Sequence, residues 1–196
     1  MDTIFISDLH LDKTRSDTID YFLKFIKDRS ATLEKLYILG DFVESWVGDD
    51  DPGHGVIDAF EILKSISKKT KIYFMHGNRD FMISSKICDK FGMELIEDPT
   101  LINLYDRKIL LMHGDTLCVD DIKYQEFRQL VRDKSWQAQM MPLTEFNAPS
   151  HRHHKKAFHF FNDLNGRASY RFVGSRWCRA SQAPSLCRED TSKLRS

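Results

Sequence analysis

No stretch of this 196-residue chain runs apolar for the roughly 18 residues that a membrane-spanning helix requires. The first residues enter a strand-like segment without the charged-then-apolar pattern of a secretory leader. Four cysteines, Cys88, Cys118, Cys178 and Cys187, show no Cys-x-x-Cys spacing, which argues against a zinc knuckle and a disulfide framework. A reducing cytoplasm is therefore the expected location. Net charge is lacking as well, since 29 Lys and Arg balance 29 Asp and Glu. That balance hides a split: residues 1–149 carry 19 basic against 26 acidic side chains, and residues 150–196 carry 10 against 3. An acidic first part argues against a binder of nucleic-acid backbone, which normally presents a basic stripe. Isoleucine is missing from the last 74 residues, although 15 fall within residues 1–122.

The chain is long enough for one well-cored domain and too short for two comfortable ones. Up to about residue 134 its pattern is regular. Thr3–Ser7, Leu36–Leu39, Lys71–Met75 and Lys108–Met112 are short, apolar segments that read as buried strands. Ile19, Phe22, Leu23 and Ile26 recur at helical spacing, with Ser16 or Asp17 as N-cap. Ile57, Phe60 and Leu63, with Ile62 and Ile66, form a second such stripe. Alternating strands and helices predict an α/β fold with a largely parallel sheet and right-handed crossovers. Leu101–Tyr105 and Lys108–Met112 flank Asp106-Arg107 as a hairpin, and Tyr124, Phe127, Leu130 and Val131 predict one more amphipathic helix.

Four short strings close these apolar segments: Asp8-Leu9-His10, Gly40-Asp41-Phe42-Val43-Glu44, Gly77-Asn78-Arg79-Asp80 and His113-Gly114-Asp115. The carboxyl edge of an open α/β sheet is where loops from separate strands converge. Asp8, His10, Asp41, Asn78 and His113 are thus expected to meet, although the first and last are 105 positions apart. Two carboxylates, two imidazoles and an amide oxygen suit Mn, Fe or Zn better than a purely oxygen-lined Mg or Ca site. Asp41 is the best candidate to bridge two ions roughly 3.5–4 Å apart, a spacing that clamps attacking and leaving oxygens in phosphoryl transfer and acidifies water. Singly, the strings also read as helix caps, turns or a satisfied histidine. Their order, each at the end of an apolar strand, is what points to a metal centre. His54 reads as a solvated loop histidine, and His76 can face either way. His151, His153 and His154 lack a flanking strand to aim them at the site.

The four strings resemble the calcineurin-like metallophosphoesterase superfamily. Within it they are most similar to the branch that acts on UDP-2,3-diacylglucosamine in lipid A biosynthesis. Ile4–Leu11, Tyr37–Asp41 with Gly48–Pro52, His76–Phe81 and Met112–Asp121 carry this resemblance, and Arg79 after Gly-Asn is that branch's variant of the motif. The resemblance covers residues 1 to about 134 and implies hydrolysis of a pyrophosphate bond to UMP and 2,3-diacylglucosamine 1-phosphate. It implies two Mn²⁺ ions, one held by Asp8, His10 and Asp41, the other by Asp41, Asn78 and His113. Asn78 and Arg79 would meet substrate phosphate, Arg79 through its planar donors, and Asp121 the sugar. It further implies a peripheral enzyme on the cytoplasmic face of the inner membrane.

The same family carries a helical insertion after the His113 position and a late Gly-His-x-His, and no such string follows Asp115 here. Residues 135–196 read as an atypical basic tail, with Trp136, Phe158, Phe160, Phe161 and Trp177 scattered without period. Two origins fit it: a disordered basic tail, or sequence outside the original reading frame, which the unpatterned aromatics favour. Such a tail can touch anionic lipid but is a poor anchor without an amphipathic period. Alternatives to the hydrolase are an inactive remnant and another calcineurin-like phosphodiesterase.

Overall fold

A computed structural model describes residues 1–46, 48–49 and 55–137, together with the backbone of 170–173 and 176–179. His54, His151, His153, His154, Phe158, Phe160, Phe161 and Cys187 lie outside the described residues, as do the side chains of Trp177 and Cys178. The described elements are β1 (Asp2–Ile6), α1 (Ser16–Arg29), β2 (Leu33–Leu39), α2 (Ile57–Ile66), β3 (Lys71–Met75), α3 (Ser85–Lys90), β4 (Met93–Ile96), β5 (Thr100–Leu104), β6 (Arg107–Leu111), α4 (Ile122–Arg132), β7 (Tyr170–Val173) and β8 (Arg176–Arg179). β1 to β4 pair in sequence order, all parallel, as the alternating pattern predicts. β5–β6 and β7–β8 form separate antiparallel pairs.

Side-chain alternation sorts the parallel strands onto two apolar faces. Leu36 and Ile38 of β2, with Ile72 and Phe74 of β3, join Ile19, Phe22, Ile26, Ala59, Phe60, Leu63 and Ile87 in the main core beneath α1, α2 and α3. Phe60 meets Phe42 edge-on at 5.3 Å, and burying one such ring stabilises the fold by roughly 3 kcal/mol. The opposite face carries Tyr37 and Met75, covered by Leu111, Ile102 and Ile109 of the β5–β6 pair. Phe5, Tyr37 and Tyr73 stand in register across three strands and stack at 4.9 and 4.6 Å.

Three local readings are corrected. The residue before α1 is Arg15, without a side-chain cap, while Asp12 takes the Thr14 N–H in the preceding turn. The hairpin turns at Tyr105-Asp106, both at positive φ (50° and 61°), rather than at Asp106-Arg107, because Leu104 pairs with Arg107. Paired positive φ values match the right-handed twist of a two-residue hairpin. Leu130 is exposed on α4, whereas Tyr124 and Val131 are its buried residues. α3 and β4 carry too few residues to show a period, so the sequence does not announce them.

Candidate metal centre

The parallel strands end in register, Ile6 beside Ile38 and Leu39 beside Met75, so the loops after β1, β2 and β3 emerge at one edge. The first two loops continue to pair beyond their strands. Asp8 N–H donates to the Gly40 carbonyl at 3.1 Å, His10 N–H to Asp41 at 2.9 Å, and Leu11 N–H to Phe42 at 3.0 Å. This ladder holds Asp8, His10 and Asp41 in the left-handed region, at φ 57°, 48° and 53°. For residues with a side chain such conformations cost on the order of 1–3 kcal/mol each, and they cluster at functional sites.

The strained backbone brings potential ligand atoms of Asp8, His10 and Asp41 within 4.8 Å of one another. His10 Nε2 lies 3.6 Å from Asp41 Oδ2, and His113 Nε2 lies 3.9 Å from Asp41 Oδ1 on the other side. His113 Nε2 is also 3.3 Å from Asn78 Oδ1. All five expected ligand residues therefore gather around Asp41. Asp121, expected at the sugar, caps α4, where its Oδ1 accepts the Tyr124 N–H at 3.1 Å.

Both imidazoles are aimed by their second nitrogen. His10 Nδ1 contacts Glu44 Oε2 at 2.8 Å, and His113 Nδ1 contacts the Leu39 carbonyl at 2.9 Å. A carbonyl only accepts, so His113 donates from Nδ1, and in the neutral ring this turns the Nε2 lone pair towards Asp41, the arrangement of a metal-ligating histidine. Glu44 and Asp80, which stand inside the motif strings but have no role read from the sequence, support the cluster. Asp80 is fully buried, and its two oxygens accept the N–H groups of Gly77 and Phe42, each at 2.7 Å. It thereby laces the β2 and β3 loops together.

Electrostatics point to a cation. Burial pushes the Asp41 carboxyl above its usual range, even though His113, His10 and the Arg79 N–H oppose it. Burial likewise raises Asp80, to about 6, with the Asp41 charge adding to it. For His10 and His113 burial lowers the pKa, but carboxylates win: Glu44 and Asp41 raise His10, and Asp41 and Asp115 raise His113. A carboxylate this poorly neutralised, flanked by two aimed imidazoles, fits a divalent ion. Arg79 is nearly buried, with Nη1 3.5 Å from Glu44 Oε1 and Nε without a hydrogen-bond partner among the described residues. It holds spare donors beside the cluster.

His76 turns away from the centre: its Nε2 donates to the Ile83 carbonyl at 2.6 Å. Burial first, then the Arg132 charge, lowers its pKa to about 4. Between pH 6.5 and 4 the unfolded chain binds this proton and the folded chain does not, so stability falls as pH falls. His76→Gln keeps a donor and cannot titrate. The variant is expected to lose about 2 kcal/mol less stability than wild type between pH 7 and pH 5, read from urea midpoints at both pH values. Equal losses would show that His76 titrates normally.

A family model described as calcineurin-like phosphoesterase matches residues 1–180. The UDP-2,3-diacylglucosamine hydrolase of Stenotrophomonas maltophilia strain K279a is 44% identical over 142 residues, covering 72% of this chain and 57% of that protein. The hydrolase of the same name from Aliivibrio fischeri strain MJ11 is 48% identical over 137 residues, covering 69% and 56%. Among solved structures, the Pseudomonas putida nuclease MPE is similar at a TM-score of 0.40 and 20% identity, covering 50% of this chain and 48% of that one. The chain thus spans a little over half the length of the curated relatives it matches. Among the described residues no helix is long and apolar enough to cross a membrane. With the motif residues gathered around Asp41 and the match running from residue 1 to 180, the chain belongs to the calcineurin-like phosphoesterase family.

Proposed function

We propose that the centre serves metal-dependent hydrolysis of the pyrophosphate bond of UDP-2,3-diacylglucosamine, releasing UMP and 2,3-diacylglucosamine 1-phosphate. Asp8, His10 and Asp41 would hold one Mn²⁺, and Asp41, Asn78 and His113 the other. Such ions supply Lewis-acid polarisation of phosphoryl oxygens and an acidified water. The chain's own residues do the rest. Glu44 on His10 Nδ1 and the Leu39 carbonyl on His113 Nδ1 select the neutral tautomers whose Nε2 would face an ion. Arg79 carries the reading: a nearly buried guanidinium whose Nε has no hydrogen-bond partner among the described residues, one residue after Asn78, opposes the charge of a diphosphate. The 44% and 48% identity to named hydrolases supports this substrate over other phosphodiesters. A lipid substrate implies work at a membrane surface, on the cytoplasmic face of the inner membrane. Residues 1–134 form the phosphoesterase part in this reading, and residues 135–196 a distinct basic tail.

Metal affinity and the groove for acyl chains both act on turnover, so the 196-residue chain without Gly-His-x-His is expected to hydrolyse the substrate negligibly. Replacing residues after about 134 by the matching part of an intact hydrolase should give UMP release that depends on Mn²⁺, Asn78 and Arg79. A chimera that folds, binds two ions and leaves the substrate intact would refute the assignment.

A further inference from the structure

α4 contributes no ligand to the cluster, yet one stripe of it grips the two loops that carry Asn78 and His113. Tyr124, Arg128 and Arg132 recur every four residues and so share a helix face. Tyr124 Oη donates to Asp115 Oδ2 at 2.5 Å. Arg128 reaches two carboxylates at once, Nε on Asp115 Oδ2 and Nη2 on Asp98 Oδ2, each at 2.9 Å. Asp98 in turn accepts the backbone N–H of His113 through Oδ1 at 3.2 Å. Arg128 therefore holds both sides of His113, one through Asp98 and one through Asp115 two residues along the chain. One turn later, Arg132 Nη2 donates to the carbonyls of Gly77 at 2.9 Å and His76 at 3.4 Å, immediately before Asn78.

The Asp8–His10 loop is held differently, by the backbone ladder to the Asp41 loop and by Glu44 on the His10 ring. The two halves of the centre thus have separate supports. A planar, five-donor guanidinium suits the α4 side because it can satisfy two carboxylates in one geometry, which a lysine ammonium on a flexible stem holds less well. The two acids also neutralise Arg128, so its charge does not oppose a cation at His113.

We propose that Arg128 and Arg132 are positioning residues for His113 and Asn78, so that α4 sets the half of the centre that takes the second ion. The ion arm of this inference rests on the two-ion reading above; the positioning itself does not. Partners that orient metal ligands typically govern affinity by 10–100-fold.

The test uses the full chain, first without metal. In Arg128→Leu, NMR should show the His113 backbone amide exchanging at least tenfold faster and the His113 Nδ1–H losing its bond to Leu39. The His10 ring, bonded to Glu44, should be unchanged. Arg128→Lys should recover part of the effect, and it carries the same comparison if the leucine variant does not fold. Zn²⁺, a diamagnetic ion suited to the same mixed donor set, is then titrated and the ring-nitrogen shifts of each histidine followed. The His10 ring should shift at wild-type concentrations in the variant, while His113 needs about 10–100-fold more Zn²⁺; Arg132→Leu should act on Asn78 in the same way. Unchanged His113 exchange, or equal loosening of His10 and His113, overturns the proposal. Wild type in which Zn²⁺ shifts the ring nitrogens of His10 and never those of His113 refutes the two-ion reading instead, and the metal-free exchange still decides the role of α4.

Discussion

Asp41→Ala is expected to bind no Mn²⁺ at concentrations that saturate wild type and to abolish any hydrolysis, by at least about 10³-fold in a competent chimera. Asp41 lies within 4 Å of both imidazole Nε2 atoms, Oδ2 3.6 Å from His10 and Oδ1 3.9 Å from His113. Ions of this kind contribute several kcal/mol to phosphoryl transfer, and each 1.36 kcal/mol is tenfold in rate. Asp41→Asn separates charge from shape, since its amide oxygen can still accept the Arg79 N–H, now 2.9 Å from Oδ1. The raised pKa fixes the sign of its effect on the metal-free fold. A carboxyl held above its unfolded range costs stability once pH exceeds that range. At pH 7 Asp41→Asn should therefore be at least as stable as wild type while binding metal far more weakly. Calorimetric titration and urea unfolding of both variants test the pair. Mn²⁺ binding by Asp41→Ala with wild-type stoichiometry would remove Asp41 from the centre.

Gly40→Ala is the second large effect, and it acts through packing. Gly40 sits at φ 90°, and a Cβ there would stand 2.6 Å from His113 Nδ1 and 2.7 Å from the Gly77 backbone. The left-handed conformation costs a side-chain-bearing residue about 1–2 kcal/mol, and forcing atoms into a packed site about 1–3 more. A loss of about 3 kcal/mol is expected from urea unfolding, together with displacement of His113 from the Leu39 carbonyl. Gly77 is under the same constraint, since its Cβ would meet the Asp41 carboxylate. A loss below 1 kcal/mol with His113 unmoved would mean that the two loops are not in close approach. Gly40 and Gly77 are thus spacers that let three loops touch.

Local pattern determined much of this protein by itself. β3 and α2 fall where the apolar period puts them, because a buried face repeats every two or every 3.6 residues whatever the fold around it. Three of the motifs follow strands of the parallel sheet, which sends successive strand ends to one edge, so the meeting of Asp8, His10, Asp41 and Asn78 was legible in the sequence. His113 follows β6 outside that sheet, and only the fold brings it to Asp41. α3 and β4 were not legible, being too short to show a period. Nor were the turns, where one residue of register decides whether Tyr105 or Arg107 takes the strained position.

The support of the site was decided by tertiary structure alone. Glu44 on His10, the Leu39 carbonyl on His113 and Asp80 between two loop amides are contacts across 34, 74 and 38 residues. The sequence names these groups, but a carboxylate carries no mark of which imidazole or amide it will meet. Whether His76 faced the centre was likewise open until packing turned it onto Ile83. Arg128 shows the same limit: on a helical wheel it is one polar residue beside an apolar stripe. Only the fold sets Asp98 and Asp115 within reach of its two nitrogens, because they arrive from the loops before β5 and after β6.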